Sequence, residues 1–339
     1  KEYIDSILLQ AKNPSTEDIK LILKKAINRK KLTHLEIGKL LTSHDKEQIT
    51  NIYNIAGKLK DEIYGKRVVI FAPLYISNFC VNNCKYCGYR RDNKFKRLKL
   101  TQEEIKEQAI NLEKLGHKRL ALEVGEAPKE TPIDYVIESI KTIYDNSSIR
   151  RINVNIAATT VEEYKKLKEI GIGTYILFQE TYDREAFAVQ HPKSIKGDYE
   201  YHLHAFDRAF EAGIEDVGAG VLFGLSEWKR EVLSLVIHNE YLEEKYGVGF
   251  HTISVPRLKK AEGMSLDDYP HTGAMNYGDL PNKFEAGTMA TAQVIAFDQS
   301  IKFLERIGIL NHFVTFLNLY FQSYFPKKQF LFFHQSPYL

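Results

Sequence analysis

Cys80, Cys84 and Cys87 are the only cysteines in the chain and fall within eight residues, Cys80-Val81-Asn82-Asn83-Cys84-Lys85-Tyr86-Cys87. Thiolates at i, i+4 and i+7 of one loop can converge on three irons of a single cubane cluster, for which thiolate is the usual protein ligand. With no fourth cysteine, one iron of such a cluster lacks a protein thiolate and is open to a small ligand, as catalysis at a cluster requires. Two other arrangements compete. A structural zinc site takes four protein ligands, and a distant histidine such as His117 then has to supply the fourth. Three unrelated core thiols are the other, since cysteine is often buried, but Asn82, Asn83 and Lys85 make the loop polar. An odd number of cysteines this closely spaced is no disulfide framework and points to a reducing compartment.

The elements that position this loop can be read from periodicity. Residues 1–66 pattern as helices: Thr33-His34-Leu35-Glu36 fits a capping box, and Ser15 and Thr16 ahead of Glu17 and Asp18 mark another start. They carry no catalytic constellation and form a packing layer. From residue 67 the rhythm changes. The apolar run 68–71 predicts a buried parallel strand, followed by the cysteine loop and a helix over 101–115. Further strands are expected at 119–124, 152–156, 175–178, 217–223 and 252–255. Helices are expected near 132–144, from Thr160 to Gly171, over 199–212, and over 227–245.

Six strand–helix alternations with long crossovers argue for a parallel α/β fold. Their regularity favours a (β/α) barrel over a doubly wound sheet, a TIM-type barrel with six readable strands and therefore incomplete. In either architecture chemistry belongs at the C-terminal ends of the strands. The cysteines, Glu126, Asn155, Glu180 and Arg257 all fall at such ends. After about Pro270 the rhythm is lost: 273–288 is glycine-rich, 290–307 patterns as a helix, and ten of the thirty residues 310–339 are Phe or Tyr.

Composition excludes several classes. The 339 residues carry 47 Lys+Arg against 44 Asp+Glu with 44% hydrophobic residues, which is globular, and a net charge of +3 with no block of like charges gives no case for nucleic acid. The most apolar stretch, 307–325, is interrupted by Asn311, His312, Asn318, Gln322 and Ser323, so no membrane span is expected. The polar start and absence of a leader pattern suggest a cytoplasmic protein, and the missing initial Met suggests a fragment.

The C-x3-C-x2-C loop, with an aromatic before its last cysteine and after a first strand, resembles the radical S-adenosylmethionine (SAM) superfamily. Residues 71–78 (FAPLYISN), the cysteine loop and Gly88-Tyr89-Arg90-Arg91 are similar to its tyrosine lyases, the HydG hydrogenase maturases and the ThiH 2-iminoacetate synthases of thiamine synthesis. Residues 118–126 (KRLALEVGE), 179–182 (QETY), 207–224 (DRAFEAGIEDVGAGVLFG) and 249–258 (GFHTISVPRL) look most like the HydG branch, and the likeness covers about 1–271. Residues 278–309 look instead like part of a SufS-type cysteine desulfurase, which implies a chimera with boundaries at 1–66, 67–271, 272–309 and 310–339.

The resemblance implies that Cys80, Cys84 and Cys87 hold a 4Fe-4S cluster whose open iron binds the amino and carboxylate groups of SAM. It places Tyr86 near the adenine, and Gly125 and Glu126 at the SAM amino group. Arg184 is the candidate for the SAM carboxylate, against a surface arginine beside Asp183 and Glu185. Ser254 and Arg257 are candidates for the amino-acid substrate, Arg257 against a role bridging carboxylates such as Glu262. Asn155 and Glu180 face the same mouth, Glu180 as a group that takes or holds a proton on the substrate amine. The implied reaction is cleavage of the Cα–Cβ bond of L-tyrosine to p-cresol and dehydroglycine. It needs a low-potential electron donor of the ferredoxin or flavodoxin type. All three cysteines are used by the first loop, so none is left for the auxiliary cluster at which HydG-type proteins form carbon monoxide and cyanide.

Overall fold

The computed structural model describes residues 1–66, 69–192, 194–259, 261, 263 and 264. Two compact units divide them, one ending at Val69 and one beginning at Ile70. The segments 272–309 and 310–339, with the expected helix 290–307, lie outside the described residues.

The first unit contains helices α1 (Glu2–Gln10), α2 (Thr16–Ile27), α3 (His34–Thr42) and α4 (Lys46–Tyr64). Ser15 with Asp18 and Thr33 with Glu36 form reciprocal capping boxes, as their spacing predicts, and Asp45 caps α4. Ala11, Ile19, Ile22 and Leu23 are buried among these helices.

In the second unit strands and helices alternate. The order is β1 (Ala72–Ser77), α5 (Gln102–Lys114), β2 (Arg119–Val124), α6 (Ile133–Asn146), β3 (Arg151–Asn155), α7 (Val161–Glu169) and β4 (Tyr175–Glu180). Then follow α8 (Arg184–Gln190), α9 (Tyr199–Leu203), α10 (Ala205–Glu211), β5 (Val217–Val221), α11 (Trp228–Tyr246) and β6 (Thr252–Ser254). The strands form one sheet in the order β1-β2-β3-β4-β5-β6, every neighbouring pair parallel. Sequential order with a helical crossover at each step is the α/β-barrel pattern. Among the described strands β1 and β6 are the edges.

Strand alternation sorts the side chains. Leu74, Leu122 and Val154 share one row of the register and are buried with Ile105, Ile140, Ile143 and Leu167 of the helices. The adjacent row, Tyr75, Glu123 and Asn155, faces the other side of the sheet and lines a pocket. One side of each strand thus holds the sheet to its helices, while the other is released for chemistry.

Three expectations shift. The apolar run at 68–71 is not the first strand: Ile70 and Phe71 are 66% and 54% exposed, and β1 begins at Ala72. The alternation that buries Ala72, Leu74 and Ile76 starts only there, and Pro73, lacking an N–H, is tolerated because β1 is an edge. The helix over 199–212 is broken at His204, which ends α9 and precedes α10. Helix α8 was not anticipated; Asp183 caps it by accepting from the N–H groups of Glu185 and Ala186. No helix among the described residues is long and apolar enough to cross a membrane.

Candidate active site

The cysteine loop leaves β1 at its C-terminal end and is fixed at its base by Asn78. The buried Asn78 amide donates to the Lys96 carbonyl (3.1 Å) and accepts from the Leu98 N–H (2.7 Å). The Arg97 guanidinium ties the interior by donating to the carbonyls of Asn78 (2.6 Å), Tyr89 (2.9 Å) and Arg90 (2.7 Å). A turn follows in which the Cys87 N–H donates to the Cys84 carbonyl (3.1 Å). Cys80, Cys84 and Cys87 line one pocket with about 760 Å³ of empty space continuous with solvent. Burial pushes the Cys84 thiol up to about 12 and raises Cys80 and Cys87 as well. Such thiols become ligands when a metal centre supplies the positive charge their environment lacks.

The opposite wall is the end of β2. The Val81 N–H donates to the Glu126 carbonyl (2.8 Å), and the Asn82 amide donates to the Glu126 carboxylate. Gly125 lies so close to the loop that a Cβ would overlap the Phe79 carbonyl oxygen and approach the Cys80 Cβ. Only glycine lets the strand end pass under the loop. Burial raises the Glu126 carboxyl, with the Asn82 hydrogen bond opposing it.

Beneath these groups lies a buried ion pair. Glu180, fully buried at the end of β4, accepts from the Lys196 Nζ at 2.6 Å. Its φ of 66° is unusual for a residue with a side chain, and it sits where the β4–β5 register shifts. Held left-handed conformations of this kind cost about 1–3 kcal/mol and gather at functional sites. Lys196 lies within a 3₁₀ turn (Ile195–Gly197), and its N–H donates to Asn82 Oδ1 (3.2 Å), joining this segment to the cysteine loop. Burial works against the Lys196 ammonium, but the Glu180 carboxylate outweighs it and holds the pKa above the ordinary lysine value.

Tyr86 is buried, its hydroxyl 2.8 Å from His191 Nε2. His191 Nδ1 is 2.7 Å from the Phe187 carbonyl, which can only accept, so Nδ1 carries the proton and Nε2 accepts from Tyr86. Burial, with Lys196 nearby, lowers His191 to about 2 and His202 to about 3, so both rings are neutral. His202 Nε2 donates to the Phe178 carbonyl at 2.9 Å.

The pocket also receives the row Tyr75, Glu123 and Asn155 from β1, β2 and β3. Burial raises Glu123 to about 8, with its hydrogen bond to Asn155 opposing the shift. At neutral pH this carboxyl is largely protonated and can donate as well as accept. Sequence reasoning missed Glu123 and Lys196. A single acid in the apolar strand RLALEV was the available sign of the first; nothing local distinguishes Lys196.

Cys80, Cys84, Cys87, Tyr86, Gly125, Glu126, Asn155 and Glu180 therefore share one pocket. Arg184 does not line it: the Arg184 guanidinium pairs with Glu200 at 2.5 Å, lies over the Tyr199 ring, and is 62% exposed. Ser254 ends β6 and Arg257 is exposed, bridged to Phe223 beside β5, and neither lines this pocket. His117 precedes β2, so six residues of strand, about 20 Å, separate it from the cysteine end. That separation removes it as a fourth zinc ligand.

The Radical SAM superfamily profile matches residues 74–236, from β1 into α11. The 2-iminoacetate synthase of Salmonella typhimurium (strain LT2) is 30% identical over 260 residues, 76% of this chain and 67% of that protein. The chain belongs to the radical SAM superfamily. A crystal structure of HydG, a maturase of the [FeFe]-hydrogenase, is 54% identical with a TM-score of 0.78, over 80% of this chain and 61% of that one. The HydG structure from Carboxydothermus hydrogenoformans is 42% identical with a TM-score of 0.72, over 76% and 61%. The chain thus spans less than two thirds of the length of either HydG structure. Radical SAM proteins use a 4Fe-4S cluster and SAM, and this site fits both: three buried thiols, a strand end with no room for a Cβ, and a carboxylate and an ammonium held in one pocket.

Proposed function

We propose that the chain is a HydG-like radical SAM lyase that cleaves the Cα–Cβ bond of L-tyrosine to p-cresol and dehydroglycine, serving hydrogenase cofactor maturation. The observation that carries this is the 54% identity with HydG across a span that contains the whole cysteine pocket. The 30% match to 2-iminoacetate synthase favours the same bond cleavage serving thiamine synthesis as the second reading. The chain spans 61% of the HydG structure, and the proposal extends to the cleavage alone.

Within this reading Cys80, Cys84 and Cys87 hold three irons, Glu126 receives the SAM ammonium, and Tyr86 borders the adenine. Lys196 replaces Arg184 as the partner of the SAM carboxylate, because it is the cation inside the pocket whereas Arg184 is paired outside it. Glu180 holds Lys196 charged and in place and stays within reach of a substrate amine. Glu123 and Asn155 meet the substrate's polar end, and Ser254 and Arg257 are kept as candidates for its amino-acid end. Bound there, the cluster and SAM would supply the one-electron chemistry that starts the cleavage. The chain's own residues orient the partners and keep the space around them dry. A low-potential electron donor is required, and three free cysteines suit the reducing cytoplasm.

The test is SAM-dependent release of p-cresol from L-tyrosine by reconstituted, anaerobic protein. Release matching SAM cleavage is expected, and cluster-loaded protein that cleaves SAM without p-cresol sinks the substrate assignment.

A further inference from the structure

From the geometry and charge of residues 85–99 we infer that this segment is the docking surface for a small acidic electron-carrier protein. The inference rests on the reading above, in that the iron bound by the cysteine loop must be reduced from outside. The segment holds seven lysines and arginines and one acid, Asp92, a charge of +6 within a chain of +3, so all other residues together sum to −3. Acids stand among the cations in α7, where Lys165, Lys166 and Lys168 lie between Glu162, Glu163 and Glu169, whereas residues 19–35 of the first unit also hold six cations and no acid. What sets residues 85–99 apart is that the run is joined to the cysteine loop.

The segment is laid on the cysteine loop. The Arg91 N–H donates to the Asn82 carbonyl (2.8 Å), the Asn83 amide to Asp92 (2.6 Å), and the Arg90 Nε to Asn83 Oδ1 (3.1 Å). Arg90 and Arg97 use their N–H groups on backbone carbonyls and hold the segment in shape. Arg91, Lys94, Lys96 and Lys99 are exposed on its outer side, and the Lys94 and Lys96 ammonium groups meet no carboxylate among the described residues. Positive charge is therefore concentrated on a segment hydrogen-bonded to the cysteine loop.

Charge complementarity selects an acidic partner, and the attachment to the cysteine loop selects one that delivers electrons. The carrier is oxidised by one electron and the site is reduced by one, with no atom transferred. Opposite potentials raise encounter rates by about 10- to 1000-fold at low salt and lose that advantage as salt rises.

The test titrates the full chain, with and without its cluster, with an acidic flavodoxin, following binding by calorimetry at low and high salt. The Lys94→Glu/Lys96→Glu variant is measured alongside, as neither residue touches the pocket. Wild type is expected to bind about tenfold or more tightly at low salt than either at high salt or in the variant. Reduction by flavodoxin slows in parallel, while reduction by dithionite is unchanged. Flavodoxin affinity indifferent to charge reversal in a dithionite-reducible protein overturns the docking surface alone. So does preferential binding of single-stranded RNA that the variant loses. A protein that dithionite cannot reduce overturns instead the reading on which the surface rests.

Discussion

Lys196 and Arg184 stand twelve residues apart, yet only one reaches the pocket. Arg184 is satisfied by Glu200 and the Tyr199 ring on the surface, where an ion pair contributes little. Lys196 is largely buried, pairs with Glu180 and lines the same pocket as the three cysteines. Lys196→Met is expected to weaken SAM binding at least about tenfold, about 1.4 kcal/mol. Arg184→Ala changes it less than about twofold, as equilibrium dialysis can show. Glu123 gives a second expectation at this scale. Its carboxyl, raised to about 8, is protonated at pH 7 and ionises above 8. The KM for tyrosine should therefore rise in wild type as pH passes 8 and stay flat in Glu123→Gln, in steady-state profiles of the two. The three cysteines and Gly125-Glu126 were legible because their chemistry lies in residue type and short spacing. Lys196 was not, because its partner Glu180 is sixteen residues away and only the fold joins them.

At the scale of elements, the base of the loop after β1 is fixed by the Asn78 side chain. Asn78→Ala removes two partly buried hydrogen bonds to the returning chain at Lys96 and Leu98. The cost is about 2 kcal/mol or more, since backbone groups are left unpaired. Faster proteolysis within 79–98 and weaker retention of iron during gel filtration are the expected signs. Capping boxes at Ser15, Thr33 and Thr101 were readable because hydroxyl and carboxylate sit three residues apart. The start of β1 was not. A bare apolar run cannot distinguish an exposed lead-in from a strand, and only alternation against the helices decides it. The break at His204 was likewise hidden, because no Gly or Pro marks it.

Across the whole molecule, buried neutral histidines link stability to pH. His238, packed against Phe206 and Phe250 and bonded to the Tyr182 hydroxyl, is lowered by burial to about 4 from an ordinary 6.5, and His202 to about 3. The unfolded chain takes up protons below 6.5 that the folded chain refuses. Stability is therefore full above pH 6.5 and falls toward pH 4, by up to about 1.4 kcal/mol per pH unit for each ring. Urea titrations from pH 7 to 5 should show this slope, and His238→Gln should lower it by one proton. The parallel alternation was readable along the whole second unit, because each strand and helix carries its own period. Among the described residues the sheet ends at β6.

The central claim is that these three thiols hold a cluster with one iron left open to SAM. Electron paramagnetic resonance of the reduced, reconstituted protein, recorded with and without SAM, tests it most directly. A 4Fe-4S signal that shifts when SAM is added is the predicted result. A signal indifferent to SAM, or stoichiometric zinc in place of a cluster, contradicts it.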